Sequence, residues 1–243
     1  MTADQLGAGA GLVVEGKDNC TTTDDQRDDF GSIACELFTQ SFALYEEHVM
    51  KDSRIQFRCV TSVIGTLLAC RSLRKEDYEQ LILKTSKYAA KMNKKSEQCE
   101  MVTRCSHLFY NVIEGDDGSN SVVYANPQRC LECLQRSLKL ADACMNDDPS
   151  NLRLFVDLLD IYLYFFEKNN PSITGNYITG LVALVKEHAN SNNIVGHQFV
   201  GSPVPVDNAK TQFLQIVRHI KTMKQKPDSS DQFKDIDVSA VET

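Results

Sequence analysis

The stretch LRLFVDLLDIYLYFF, residues 152–166, decides the fold of this chain. Apart from Arg153, Asp157 and Asp160, every residue in it is aliphatic or aromatic. A helix of this composition is apolar on nearly every side, so it has to be covered by neighbouring elements on both flanks. The stretch therefore predicts a helix over about 149–168, in the middle of a packed helical domain.

Apolar residues continue at helical spacing on both sides of this stretch, from residue 31 to residue 226. Asp52-Ser53 and Pro127 are typical helix starts. The predicted buried faces include Ile33 and Leu37 in the first helix, Ile55 in the second and Val112 in the fourth. The pattern predicts eight helices, over about 31–50, 52–70, 75–93, 96–113, 127–146, 149–168, 173–190 and 206–226, with loops over 115–127 and 191–207.

The helices pair into hairpins that begin near residues 31, 75, 127 and 173, a period of about 45 residues. This period is typical of HEAT-like repeats, in which each hairpin buries its face by stacking on the next. We therefore expect an all-α fold, a HEAT-like α-α superhelix (α-solenoid) of about four helical hairpins. A closed helical bundle is the structural alternative, which periodicity does not exclude.

The net charge of −7 is concentrated at the two ends of the chain. Residues 1–30 carry −5 and residues 227–243 carry −4, which leaves about +2 for the rest. We expect a disordered acidic leader over 1–30, the solenoid over 31–226 and a disordered acidic tail over 227–243. A near-neutral body predicts no binding of nucleic acid and no direct binding of an anionic membrane.

Nine cysteines, most of them inside apolar helical patterns, are typical of buried thiols in a reducing compartment. No apolar run approaches the roughly 20 residues of a membrane span. Cys130 and Cys133 have the spacing of zinc sites and redox dithiols, but zinc needs about four ligands and no second pair follows. We expect no catalytic site, metal or cofactor, with a zinc- or redox-active helical protein as the alternative.

Two charge clusters are predicted at the ends of successive outer helices. Glu46 and Glu47 end the first helix, and Lys91, Lys94 and Lys95 end the third, so both clusters should lie near one rim of the solenoid. They are either ordinary surface charge or a self-complementary patch for a symmetric dimer.

Five segments resemble, in order and spacing, a known family. They are SFALYEEHVMKDSRIQ (41–56), VTSVIGTL (60–67), NKKSEQCEMVTRCSHLFY (93–110), CLECLQRSLKLADACM (130–145) and LFVDLLDIYLYFFEK (154–168). They are similar to consecutive helices of vacuolar protein sorting-associated protein 35, the large subunit of retromer, over about residues 33–190. The resemblance implies a non-enzymatic scaffold of an endosomal coat that is cytoplasmic and peripheral on endosomal membranes.

The resemblance also implies partners. The family carries an arrestin-like subunit at its N-terminal end and a phosphoesterase-fold small subunit at its C-terminal end, and this chain resembles the latter end. The family's PRLYLM motif has no counterpart here, so we expect no direct binding of the arrestin-like subunit. Residues 1–30 do not resemble the family's preceding helices.

The segment CSHLFY is important for contact with the small subunit in the family, which makes His107 an expected contact residue. Thr103, Tyr110 and Asn111 share its polar and aromatic face by spacing. On the sixth helix the matching polar stripe, inferred from spacing alone, is Arg153, Asp157, Asp160 and Tyr164. The family also dimerises through residues at positions like Glu46, Glu47, Lys91 and Lys95, which implies a weak, salt-sensitive homodimer here.

Overall fold

The computed structural model describes residues 24–114, 120–191, 206–226, 230–239 and 241. Its helices are α1 (Asp24–Leu44, continued by a π-helical turn at Tyr45–Val49), α2 (Ser53–Ala69), α3 (Lys75–Ala89), α4 (Lys95–Phe109), α5 (Pro127–Asp147), α6 (Leu152–Glu167, preceded by a 3-10 turn at Pro149–Asn151), α7 (Gly175–Ser191), α8 (Val206–Gln225) and α9 (Ser230–Phe233). Two strands, β1 (Tyr110–Glu114) and β2 (Asn120–Ala125), lie between α4 and α5. Within the described ranges, no helix is long and apolar enough to cross a membrane.

Capping residues fix where the helices begin. The Asp52 carboxylate accepts a hydrogen bond from the backbone N–H of Arg54 at 2.9 Å, and the Asn126 side chain accepts one from Arg129 at 3.1 Å. Each bond satisfies an N–H that would otherwise lack a partner in the first helical turn. The starts predicted for α2 and α5 are therefore confirmed.

The helices pack in the layered order of an α-solenoid, which confirms the predicted all-α fold class. Along the stack, α4 packs on α2 and α6, and α6 packs on α8, so the even-numbered helices lie side by side. The odd-numbered helices α3, α5 and α7 each pack against the even-numbered helix that follows or precedes them. Helix α6 is the most deeply buried, because Phe155, Leu159, Tyr162 and Phe165 are at most 1% exposed.

The predicted buried face of the first hairpin is partly wrong. Ile33 and Leu37 are 57% and 58% exposed, and Ile55 of α2 is 47% exposed. Leu44 of the same predicted stripe is 57% exposed, whereas its Phe38 and Phe42 are buried in the core as predicted. Helix α1 also begins at Asp24, inside the segment predicted as a disordered leader; residues 1–23 lie outside the described residues.

The fourth helix is shorter than predicted, since it ends at Phe109. The chain then forms an antiparallel hairpin in which Val112 of β1 faces Val122 of β2, where the sequence predicted the end of a helix and a loop. The β-branched residues of NVI and SVVY, on either side of the turn-forming GDDGSN, explain the strands. The Tyr78 hydroxyl of α3 donates to the Leu108 carbonyl at the end of α4 at 3.0 Å, and its ring packs against Tyr124 of β2 with centroids 5.2 Å apart, so both hold the hairpin against α3.

The predicted disorder of the acidic tail is contradicted over residues 230–239 and at Val241. Phe233, Ile236, Val238 and Val241 are at most 6% exposed and belong to the same core as the helices. The prediction counted the acidic residues of this segment and overlooked the spacing of its apolar ones. Most of the loop predicted over 191–207 lies outside the described residues.

Candidate functional site

Three of the predicted partner-binding residues meet in one open pocket of about 360 Å³. His107 comes from the last turn of α4, Tyr110 from the start of β1 and Tyr164 from α6. The change from helix to strand after Phe109 turns the chain across the edge of α6 and closes one side of the pocket. The other lining residues are Leu68, Arg71, Asn111, Val112 and Ile113.

His107 is held in an aromatic setting. Its ring lies 5.1 Å from the ring of Tyr164 and 4.8 Å from that of Phe165, measured between centroids. Burial disfavours the charged imidazolium and lowers the pKa of His107 to about 4. The imidazole is therefore neutral at pH 7 and offers one donor and one acceptor.

Tyr110 serves the fold as well as the pocket. Its hydroxyl donates to the carbonyls of Lys168 and Asn169, at 3.2 and 3.3 Å, and its ring packs edge-on against Phe165. The Asn111 amide donates to the Leu68 carbonyl at 3.4 Å. The pocket floor is therefore fixed by contacts with the ends of two separate helices, α6 and α2, so its shape exists before any partner binds.

The residues of the polar stripe predicted on α6 lie in two different places. Tyr164 lies in the pocket, whereas Asp157 forms an ion pair with Arg153 at 3.3 Å and accepts a hydrogen bond from Gln212 of α8 at 3.4 Å. Burial raises the pKa of Asp157, although Arg153 opposes this. Burial and the nearby Glu167 raise the pKa of Asp160. These acidic residues face α8, so they are not part of the His107 pocket.

The pocket is suited to binding. Its walls are aromatic and aliphatic, its rim carries Arg71, and its polar groups include the neutral imidazole of His107 and the side-chain amide of Asn111. Such a surface fits a large side chain of another protein, with polar atoms to fix its orientation. In the described part of the chain, no three His, Cys, Asp or Glu residues are grouped so that they could hold a metal ion.

Comparison with known proteins gives a consistent relationship. The family model for vacuolar protein sorting-associated protein 35 matches residues 14–188. Vacuolar protein sorting-associated protein 35 of Schizosaccharomyces pombe is 39% identical over 165 residues, and protein 35B of Arabidopsis thaliana is 34% identical over 204 residues. These alignments cover 68% and 82% of this chain.

The chain belongs to the vacuolar protein sorting-associated protein 35 family. It spans about a fifth to a quarter of the length of these two relatives, 19% and 24%. The family match begins at residue 14, inside residues 1–30, the leader that was predicted not to resemble the family. It includes every predicted site residue and ends before α8.

Within this family segment, the residues predicted for self-association already have neighbours in their own chain. Glu46 accepts a hydrogen bond from the Tyr88 hydroxyl at 2.6 Å and pairs with Lys84 at 3.2 Å, and these contacts lower its pKa. Lys91 also contributes to that lowering, so Glu46 and Lys91 lie near the same rim. Lys95 pairs with Asp147 of α5 at 2.9 Å.

The remaining members of that patch are exposed. Glu47 lies 3.7 Å from the imidazole of His48, and both side chains are more than 60% exposed. Lys91 is also exposed. Glu47 and Lys91 are therefore the two patch residues best placed to contact a second molecule.

Cys130 and Cys133, the two thiols of the alternative zinc or redox hypothesis, lie in or against the core of this chain. Cys130 is fully buried and Cys133 is half-buried. Burial raises the pKa of both thiols, that of Cys133 to about 12. Metal ligation and redox exchange need the thiolate, which a raised pKa disfavours. The structure thus gives packing roles to both residues.

Arg71 and Asn111 also line the pocket. Arg71 was absent from the prediction, whereas Asn111 was predicted on the face that carries His107 but on a helix; it lies in β1, where its amide donates to the Leu68 carbonyl at the end of α2. A strand assignment for YNVIE and SVVYA, from their β-branched residues, would have brought this segment back over the end of α2. The signal for Asn111 was therefore present, whereas nothing in the sequence placed Arg71 at the pocket rim.

Proposed function

We propose that this chain is a scaffold segment of the retromer endosomal coat that binds the phosphoesterase-fold small subunit and supports retrograde endosome-to-Golgi protein transport. It performs no chemical step itself. The observation that carries the proposal is the preformed pocket between α4, β1 and α6, which contains the residue that the family resemblance implies as a contact.

Three features support binding of a protein at this pocket. The pocket is open to solvent, its walls are aromatic, and the polar atoms of Tyr110 and Asn111 are fixed by hydrogen bonds to the fold, so little ordering is required on association. Aromatic residues and arginine are the side chains most enriched at the energetic centres of interfaces. His107, Tyr164 and Arg71 meet that description.

The proposed location is cytoplasmic and peripheral on endosomal membranes. The chain would reach the membrane through other subunits, because its body is near-neutral and offers no broad basic surface to anionic lipids. Asp157 bonds Gln212 of α8 and pairs with Arg153, and His219 of α8 affects the pKa of Asp160, so the proposed role of these three residues of α6 is to hold α8 and not to contact the small subunit.

The test is titration calorimetry of the full chain with the purified phosphoesterase-fold small subunit. The parent chain is expected to bind with micromolar or tighter affinity. His107→Arg places bulk and a fixed charge among the rings of Tyr164 and Phe165 and is expected to weaken binding at least about tenfold, on the order of 1.4 kcal/mol. Arg71→Glu reverses a rim charge without touching the core and is expected to weaken binding too.

The matched control is His48→Arg, which makes the same chemical change on a side chain that is 64% exposed and lies outside the pocket. It is expected to bind like the parent. Thermal melting of each variant separates lost binding from lost folding. If folded His107→Arg and Arg71→Glu both bind like the parent, this pocket is not the contact and the proposed site is wrong.

A further inference from the structure

The C-terminal segment, residues 230–241, lies in a groove at the end of the helix stack. The groove is formed by the C-terminal end of α6, the first two turns of α7 and the second half of α8. Four apolar side chains of the segment enter it with the spacing Phe-x-x-Ile-x-Val-x-x-Val. They are Phe233, Ile236, Val238 and Val241.

The apolar contacts are specific at both ends of the segment. The ring of Phe233 packs edge-on against Phe166 with centroids 5.3 Å apart. The backbone of α7 approaches Ile236 so closely that a β-carbon on Gly175 would lie 3.1 Å from its side chain. A larger residue at position 175 would therefore fill the part of the groove that Ile236 occupies.

The main chain of the segment is bound by side chains of the helices. Lys221 donates to the Val241 carbonyl at 2.9 Å, and Lys224 donates to the Ile236 carbonyl at 2.5 Å. The Thr179 hydroxyl accepts a hydrogen bond from the Asp237 N–H at 2.9 Å. Outside α9 the segment has few hydrogen bonds between its own backbone groups. Its backbone is bound mainly by side chains of the helices, as a protein binds an extended peptide.

The polar positions of the segment face away from the groove. Asp231, Lys234, Asp235, Asp237 and Ser239 are exposed. Apolar residues on one side and charged residues on the other are the pattern of a segment that is soluble when released and binds through one face. The contacts of Gln232 with the Phe166 carbonyl and with Asn169 fix where it begins.

We propose that the groove between α6, α7 and α8 is a binding site for an extended peptide, and that its occupant is this chain's own segment 230–241, bound as a separable intramolecular ligand. The segment covers apolar side chains of α6 and α8 and the start of α7. Its release opens the groove to a second peptide with the same apolar spacing. The inference does not depend on the function proposed above.

The test uses the full chain carrying Phe233→Asp and Ile236→Asp, which vacates the groove, and a fluorescein-labelled synthetic peptide of residues 229–243. Fluorescence anisotropy is expected to show saturable, micromolar binding to this variant. Binding to the parent chain is expected to be at least about tenfold weaker, because a tethered ligand competes at an effective concentration on the order of millimolar.

Two matched controls locate the binding. A peptide with Phe233→Asp and Ile236→Asp is expected not to bind, whereas one with Lys234→Asp, which changes the net charge equally at an exposed position, is expected to bind like the parent peptide. On the protein side, adding Gly175→Leu to the vacated chain is expected to abolish binding. Gly180→Leu, on the same helix with nothing within 4 Å of its β-carbon position, is expected to leave binding intact.

Equal peptide binding to parent and vacated chain, or no binding to either, overturns the proposal. Circular dichroism of the vacated chain provides a further check. A loss of helix well beyond the one turn of α9 would show that the segment is an obligatory part of the core and not a separable ligand, which also overturns it.

Discussion

The pKa of His107, about 4 through burial against Tyr164 and Phe165, couples the pocket to pH. Its ordinary value is 6.5, so between pH 6.5 and pH 4 the unfolded chain binds a proton that the folded chain does not. The contribution of His107 to the free energy of unfolding is therefore fully present above pH 6.5. It falls as the pH falls toward 4, by up to about 1.4 kcal/mol per pH unit.

The measurement is urea unfolding of the parent and of His107→Phe, which keeps a ring but cannot titrate. The difference in unfolding free energy between the two is expected to be constant above pH 7 and to move in favour of His107→Phe as the pH is lowered from 6.5 to 4.5. Taking the difference cancels the titration of Asp157 and Asp160. A difference that stays constant down to pH 4.5 would contradict the buried, neutral imidazole.

At the scale of single residues, the sequence could identify His107 and Tyr164 as candidate site residues. It could not show that Asp157 lies apart from them. All three lie on polar faces by helical spacing, and the spacing says only that they point away from one apolar stripe. Which neighbour each polar side chain meets depends on where α4 and α8 flank α6. That is a property of packing between helices, and it cannot be obtained from one helix's period.

Close packing of α1 against the chain between α2 and α3 gives a prediction about a helix contact. A β-carbon on Gly31 would lie 2.3 Å from the Ser72 carbonyl oxygen, whereas one on Gly65 of α2 would meet nothing within 4 Å. Gly31→Ala is expected to destabilise the fold by about 1–3 kcal/mol, since the backbone has to move. Gly65→Ala is expected to stabilise it by about 0.5–1 kcal/mol, because alanine loses less freedom than glycine in a helix.

Thermal and urea unfolding of both variants beside the parent measure the two effects. The same substitution in two neighbouring helices controls for helix propensity, so the opposite signs isolate the contact at Ser72. Equal stabilisation by both variants would show that α1 does not approach the chain at Ser72.

At the scale of elements, the helix starts with Asp52 and Pro127 were predictable because capping is local chemistry. The β-hairpin was missed because an apolar run of three or four residues fits a helix turn as well as a short strand. The burial of segment 230–241 was missed for a different reason. Its three acids, with Asp228 and Glu242 beside it, dominate the composition, and four apolar residues at irregular spacing match neither the helical nor the strand period.

At the scale of the whole molecule, the ordered stacking of α2, α4, α6 and α8 explains why both proposed sites lie along one succession of helices. The pocket uses α2, α4 and α6, and the peptide groove uses α6, α7 and α8. A stacked fold exposes an edge between each pair of neighbours, so separate partners can bind without sharing residues. Helix α6 is common to both sites, and the burial of most of its side chains makes it a rigid support.

The rim that carries Glu47 and Lys91 gives the prediction for self-association. Glu46 already pairs with Lys84, and Lys95 already pairs with Asp147. A symmetric dimer would therefore depend on Glu47 of one copy meeting Lys91 of the other. Sedimentation velocity at low salt is expected to show a weak dimer that dissociates at about 0.5 M salt, because exposed pairs contribute only about 0–1 kcal/mol each. Glu47→Lys and Lys91→Glu are each expected to abolish it, and the double variant is expected to restore it.

A dimer that survives both single changes at low salt would assign self-association to another surface, such as the exposed side of α1 around Leu37.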